Sequence, residues 1–125
     1  MSLLLDTHVL LSWLAADPAL SSVALEAISD PETEVRVSAV SAWEISIKRA
    51  IAKLEAPGDL EAMLERHGFV PLPIDVRHAL LAGDLPRHHD DPFDRMLVAQ
   101  AQLEELTIVS RDERLGSYGV PIIQA

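Results

Sequence analysis

Four carboxylates occupy positions from which they can act on one substrate. Asp6 directly follows the apolar run Leu3-Leu4-Leu5. Glu44 lies in the first turns of a patterned helix, Asp94 in the first turn of another, and Asp112 just beyond the apolar residues 106–109. Carboxylates gathered in one pocket repel one another, and some take up protons unless a cation keeps them charged. Hard oxygen donors without sulfur suit Mg²⁺ or Mn²⁺. Such an ion orients a phosphate, stabilises its charge and lowers the pKa of a bound water, whose proton a neighbouring carboxylate can take. The chemistry implied is metal-assisted phosphodiester hydrolysis.

Each acid also has an ordinary structural reading. Asp6 can cap the helix that follows it. Ser41-x-x-Glu44 matches a capping box. Asp94, three residues after Asp91, sits where a helix dipole favours an acid. Asp112 can be a loop acid or a cap, with Ser110-x-x-Glu113 as a rival cap beside it. No acid is specific alone; their joint placement carries the argument.

The elements that must position them alternate short apolar runs with helical stretches, which predicts an α/β fold: a parallel sheet of four to five strands flanked by helices. Strands are expected at residues 3–5, 34–38, 69–72, 106–109 and 120–123, the last at a sheet edge because of Pro121. Helices are expected at 8–15, 22–29, 41–54, 60–67, 76–83 and 92–104, with one helical turn at 111–115. The 41–54 helix carries Trp43, Ile47, Ala50, Ile51 and Leu54 at helical spacing, and Pro57-Gly58 ends it. Asp91 followed by Pro92 is a strong helix start. In parallel sheets of this kind ligands bind beyond the carboxyl ends of the strands. Asp6, Glu44 and Asp112 belong to that edge by chain order, whereas Asp94 is not placed by sequence alone.

The 125 residues suit a single domain spanning 1–125, able to bury roughly two-thirds of its unfolded surface. Hydrophobic residues make up 49%, which excludes a disordered chain, and aromatics only 4%, which argues against base stacking as a driver of binding. With no cysteine, thiolate nucleophiles, disulfides and Cys-based zinc sites are excluded. No apolar stretch approaches the ~20 residues of a membrane span, and Asp6 comes too early for a signal peptide; a cytoplasmic location is expected. The formal net charge of −10 opposes generic nucleic-acid binding. Metal ions offset part of it, and Lys48, Arg49, Lys53, Arg87, Arg95, Arg111 and Arg114 flank the acidic motifs as a track for phosphate. Lys48 equally suits an i,i+4 pair with Glu44.

The stretch Leu3-Leu4-Leu5-Asp6-Thr7-His8 resembles the opening of PIN-domain proteins, and Ser41-Ala42-Trp43-Glu44-Ile45-Ser46-Ile47-Lys48 resembles their second motif. Leu85-Pro86, His88-His89 and Asp91-Pro92-Phe93-Asp94-Arg95-Met96-Leu97-Val98-Ala99-Gln100-Ala101 is the most distinctive segment and closely resembles one branch of the VapC-type toxins. Ser110-Arg111-Asp112 resembles the last motif. The resemblance runs in order over nearly the whole chain. It implies a PIN fold, a Mg²⁺- or Mn²⁺-dependent ribonuclease acting on RNA, a homodimer, and a VapB-like antitoxin that blocks the site. Carried over, Asp6, Glu44, Asp94 and Asp112 form an acidic quartet. Asp6 and Asp94 bind metal, Glu44 binds it directly or through water, and Asp112 holds the site or activates water. Thr7 orients the first acid or contacts phosphate. Arg95, Arg111 and His89 are candidate substrate contacts, with His88 beside them, and Asp91 is either the helix cap or an extra acid at the metal. Leu10, Leu11, Trp13 and Leu14 offer apolar surface for a dimer. The acidic site also suits a basic antitoxin segment that sets an Arg or Lys against the carboxylates.

Rival readings fit less well. A haloacid-dehalogenase-like phosphatase wants an Asp where His8 stands, and a receiver domain wants a late lysine, but Lys53 is the last one. A serine or cysteine hydrolase lacks its nucleophile motif. A catalytically silent binding module on the same fold remains the alternative from a different class.

Overall fold

The computed structural model describes residues 1–51 and 58–125. Five strands form one wholly parallel sheet: β1 (Ser2–Leu5), β2 (Glu34–Ser38), β3 (Val70–Leu72), β4 (Thr107–Ser110) and β5 (Ile122–Gln124), in the order β3-β2-β1-β4-β5. The helices are α1 (Thr7–Leu14), α2 (Ser22–Ser29), α3 (Ala39–Ala50), α4 (Leu60–Arg66), α5 (Val76–Asp84) and α6 (Pro92–Glu104), with a 3-10 helix over Glu113–Tyr118.

β1 is central, and Leu3, Leu4 and Leu5 are all fully buried. That is the behaviour of a strand covered on both faces, and it explains an unbroken apolar run where a half-exposed strand would alternate. Leu3 and Leu5 face one layer with Val9 and Leu10 of α1, Ala24 and Ile28 of α2, and Leu64 of α4. Leu4 faces the other with Ile108 of β4, with Leu97, Val98 and Ala101 of α6, and with Ala82 of α5. α3 supplies Ile45 to the first layer and Val40 to the second. Truncating a buried leucine removes its transfer energy and leaves a cavity. Leu4→Ala is therefore expected to lower unfolding stability by roughly 2–5 kcal/mol in urea titration.

Helix boundaries follow local chemistry. Asp91 caps α6 by accepting from the amides of Phe93 and Asp94, with Pro92 at the first position, as expected. Asp6 caps α1 through Val9 N–H, so that helix starts at Thr7 rather than residue 8. The predicted Ser41–Glu44 capping box does not form. Ser38 caps α3 instead, accepting from Val40 N–H, and Ser41 lies inside the helix. Positions 52–54 of the expected 41–54 helix, with Lys53, lie outside the described residues, as does Pro57.

The expected strand at 120–123 is displaced to Ile122–Gln124, with Pro121 just before it on the edge strand. Leu10 is fully buried and offers no outer surface for a dimer, while Leu11, Trp13 and Leu14 pack half-buried against the first layer. No described helix is long and apolar enough to cross a membrane.

Candidate active site

The strand order reverses between β1 and β4: from β1 the chain builds outward to β2 and β3, then returns to β4 and β5 on the other side. A crevice opens beyond the carboxyl ends at such a point. The parallel register pairs Leu5 with Val109, so the next residues, Asp6 and Ser110, emerge side by side into it. Asp6 N–H bonds Val109 C=O at 3.1 Å, and Ser110 Oγ donates to Asp6 Oδ2 at 2.5 Å. Asp94 reaches the same edge because α6 feeds β4 and must run back across the sheet, which puts its first turn at the carboxyl end.

Two linked groups of side chains result. In the first, Thr7 Oγ1 donates to Glu44 Oε1 at 2.7 Å and contacts Ser41 Oγ at 3.0 Å. Glu44 Oε2 accepts from Lys48 at 2.5 Å, one turn along α3. Thr7 thus orients Glu44 and not Asp6, and Lys48 is committed to the i,i+4 pair.

In the second group, His89 Nε2 lies 3.1 Å from Asp94 Oδ2 and 2.8 Å from Asp112 Oδ2. Ligand atoms of these three residues all lie within 4.8 Å of one another. Asp112 also receives Arg114 in a two-point contact, at 3.0 Å to Oδ1 and 2.9 Å to Oδ2.

The electrostatics differ between the acids. Burial pushes Asp94 up to about 6, helped by the negative charges of Asp91, Asp6 and Glu44. Burial also raises Asp6, against hydrogen bonds from Ser110 and Val9 N–H. Asp112 is held well below the usual carboxylate range, first by Arg114 and then by hydrogen bonds from His89 and its own helix start. Buried carboxylates that resist ionisation beside other carboxylates are a donor set that a cation would hold in the charged form. Hard oxygens in this arrangement fit Mg²⁺ or Mn²⁺.

Several candidate residues lie elsewhere than expected. Arg95 does not extend toward the acids. Its guanidinium bonds the carbonyls of Ala82 at 2.9 Å, Leu85 at 2.8 Å and Pro86 at 3.0 Å, closing the end of α5 and the loop after it. His89, read from sequence as a candidate substrate contact, is buried among the acids. Arg87, His88, Arg111 and Arg114 are exposed, and Arg87, His88 and Arg114 border a polar hollow with His89, Asp90 and Asp91. Arg49 is exposed as well.

Ser41 and Ser110, which the sequence offered only as helix caps, are fully buried at the site. Ser110 was legible in principle, since it ends the strand next to β1 in the Asp6 register.

A second cluster of Asp75, His78 and Glu104 gathers at the start of α5. There His78 Nδ1 accepts Asp75 N–H and Nε2 faces Glu104 at 2.9 Å, closing a capping box.

The family model of the PIN domain matches residues 3–120. The chain belongs to the PIN-domain family. Among curated proteins no relative matches. Solved structures similar to this PIN chain include FitAcB from Neisseria gonorrhoeae, at 24% identity over 98% of this chain and 96% of that one, with a TM-score of 0.67. VapBC2 from Rickettsia felis, bound to a DNA fragment from its promoter, is similar at 14% identity over 100% and 99% of the two chains, with a TM-score of 0.73. VapBC from Salmonella typhimurium, also bound to DNA, is similar at 20% identity over 99% and 98%, with a TM-score of 0.67. At these identities the similarity establishes the fold of this PIN chain.

Proposed function

We propose that this PIN protein is a Mg²⁺- or Mn²⁺-dependent endoribonuclease, the toxin of a VapBC-type toxin–antitoxin pair. The observation that carries the reading is the gathering of Asp6, Glu44, Asp94 and Asp112 at the switch point of a PIN sheet, with two of them resisting ionisation. Asp6 and Asp94 are the principal metal ligands and Glu44 binds directly or through water. A bound divalent ion supplies charge neutralisation at the scissile phosphate and a water of lowered pKa.

The chain's own groups divide the remaining work. Ser110 and the α1 amide of Val9 aim the two Asp6 oxygens. Thr7 fixes Glu44. Asp112, gripped by Arg114, is a weak base, which favours holding the site over taking a proton from water. Asp91, with an oxygen committed to two helix amides, acts as the cap of α6.

The net charge of −10 stands against RNA affinity. Exposed Arg87, Arg111 and Arg114 beside the acids offer local compensation along a phosphate track. The acidity also suits a VapB-like antitoxin bearing an Arg or Lys that enters the carboxylate cluster. Similarity to chains of VapBC complexes supports a protein partner, and a homodimer accompanies this reading.

The test is cleavage of a panel of structured RNAs by antitoxin-free protein with Mg²⁺, Mn²⁺ or EDTA, alongside Asp94→Asn. Metal-dependent cuts that vanish in the variant are expected, a loss of at least a thousandfold. Cuts that persist in EDTA or in the variant would place the activity elsewhere. Tight Mn²⁺ binding without cleavage of any RNA would favour the silent binding module.

A further inference from the structure

The His89 imidazole is held from both sides. Its Nδ1 accepts the backbone N–H of Asp91 at 3.1 Å. A ring nitrogen that accepts carries no proton, so the proton of the neutral ring sits on Nε2. That Nε2–H is directed at Asp112 Oδ2, at 2.8 Å, and Asp94 Oδ2 lies 3.1 Å from the same nitrogen. The ring is buried, its own amide is anchored on Tyr118 Oη at 2.9 Å, and the Arg95 guanidinium reaches its carbonyl at 3.3 Å. Backbone and side chain are therefore both fixed.

We propose that His89 is a positioning residue that sets the spacing of Asp94 and Asp112, with its tautomer dictated by the backbone amide of Asp91. The proposal rests on the reading of these acids as metal ligands only for its functional consequence. Direct metal ligation by His89 is the competing geometry, because its Nε2 lies within reach of the same site. Ligation through Nε2 would move the ring proton to Nδ1, where it would face the Asp91 N–H: two donors opposed, with a part-buried amide losing its acceptor. The Asp91 amide thereby selects donor over ligand. The cap residue of α6 acts twice, its carboxylate starting the helix that carries Asp94 and its amide orienting the ring that holds Asp94 to Asp112.

Glutamine and asparagine separate the two ring nitrogens. A Gln amide nitrogen reaches the place of Nε2 and keeps the donor between the carboxylates, whereas Asn ends near Nδ1 and Ala provides neither. Outer-shell partners of metal ligands typically contribute 10–100-fold in metal affinity. Mn²⁺ titration followed by calorimetry is expected to give roughly 10–100-fold weaker binding for His89→Ala and His89→Asn, with His89→Gln within about threefold of the parent. In RNA cleavage at saturating Mn²⁺, Ala is expected to lower kcat with KM for RNA nearly unchanged, since His89 touches acids and not substrate. Equal Mn²⁺ affinity in Ala and parent, or equal loss in Gln and Ala, would overturn the proposal.

A second measurement needs neither metal nor activity. Long-range ¹H–¹⁵N correlation of the metal-free protein is expected to show the His89 ring proton on Nε2 and an accepting Nδ1, and the same arrangement after addition of Mg²⁺. A proton on Nδ1, before or after metal, would overturn it. Parent protein that binds no Mn²⁺ would sink the metal reading of the site instead, and the tautomer would still decide the role of His89.

Discussion

Metal-free Asp94→Asn protein is expected to melt above the parent at neutral pH while cutting no RNA. The folded-state pKa of Asp94, about 6, lies above its ordinary value of 3.8, so the fold prefers the protonated acid. The cost of holding the ionised form is absent below pH 3.8, grows as pH rises toward 6 and is complete above it. A shift of this size corresponds to on the order of 2–3 kcal/mol at pH 7.5. Asparagine removes the charge and keeps the shape of the side chain, so it recovers most of that cost. For a chain of this length the melting temperature should rise by roughly 5–10 °C. The gap should close as the pH falls to 4, where the parent carries the proton too. Excess Mg²⁺ should also narrow it, by stabilising only the chain that binds. Identical melting curves at pH 7.5 would mean that Asp94 is solvated like any surface carboxylate, and its burial would then carry no functional weight.

The second large effect is expected at Arg95. Its guanidinium is the hub for the carbonyls at the end of α5 and in the loop that carries His89. Charge-assisted bonds of this kind contribute more than neutral ones, and buried carbonyls left without a donor are costly. Arg95→Met should lower unfolding stability by about 3 kcal/mol in urea. Arg95→Lys should restore little, because a single ammonium cannot reproduce a planar fork that serves several acceptors. A stable Arg95→Met protein with a tenfold higher KM for RNA would return Arg95 to the substrate-contact role that its place beside Asp94 first suggested.

Arg95 shows where sequence reasoning stops. Sequence alone did not place even its neighbour Asp94, whose position at the carboxyl edge follows from the parallel pairing of β4 with β1. It could not fix the direction of a long side chain, which was decided by unpaired carbonyls from α5 and from residues 85–89. The strands and the caps at Asp91 and Asp6 were legible for local reasons: an apolar run ended by an acid, or an Asp before a Pro. The failed Ser41–Glu44 capping box had the right pattern one turn too late, since Ser38 at the end of β2 already served the helix start. The place of His89 among the acids was not legible, because its burial depends on Tyr118, Asp112 and Asp94 arriving from other parts of the chain. Ser110 acquires meaning only through the strand register that sets it against Asp6.

That register joins residues 104 positions apart. β1 is the central strand and is synthesised before β4, yet one of its edges stays unpaired until β4 is available. A nascent chain that ends before residue 107 has Asp6, Thr7 and Glu44 but lacks Ser110 and Asp112, and its central strand is open on one side. Contacts of such long range form late in folding. The contact between Ser110 and Asp6 therefore waits until β4 has been made, and an Asp6 carboxylate held in place belongs only to the finished sheet.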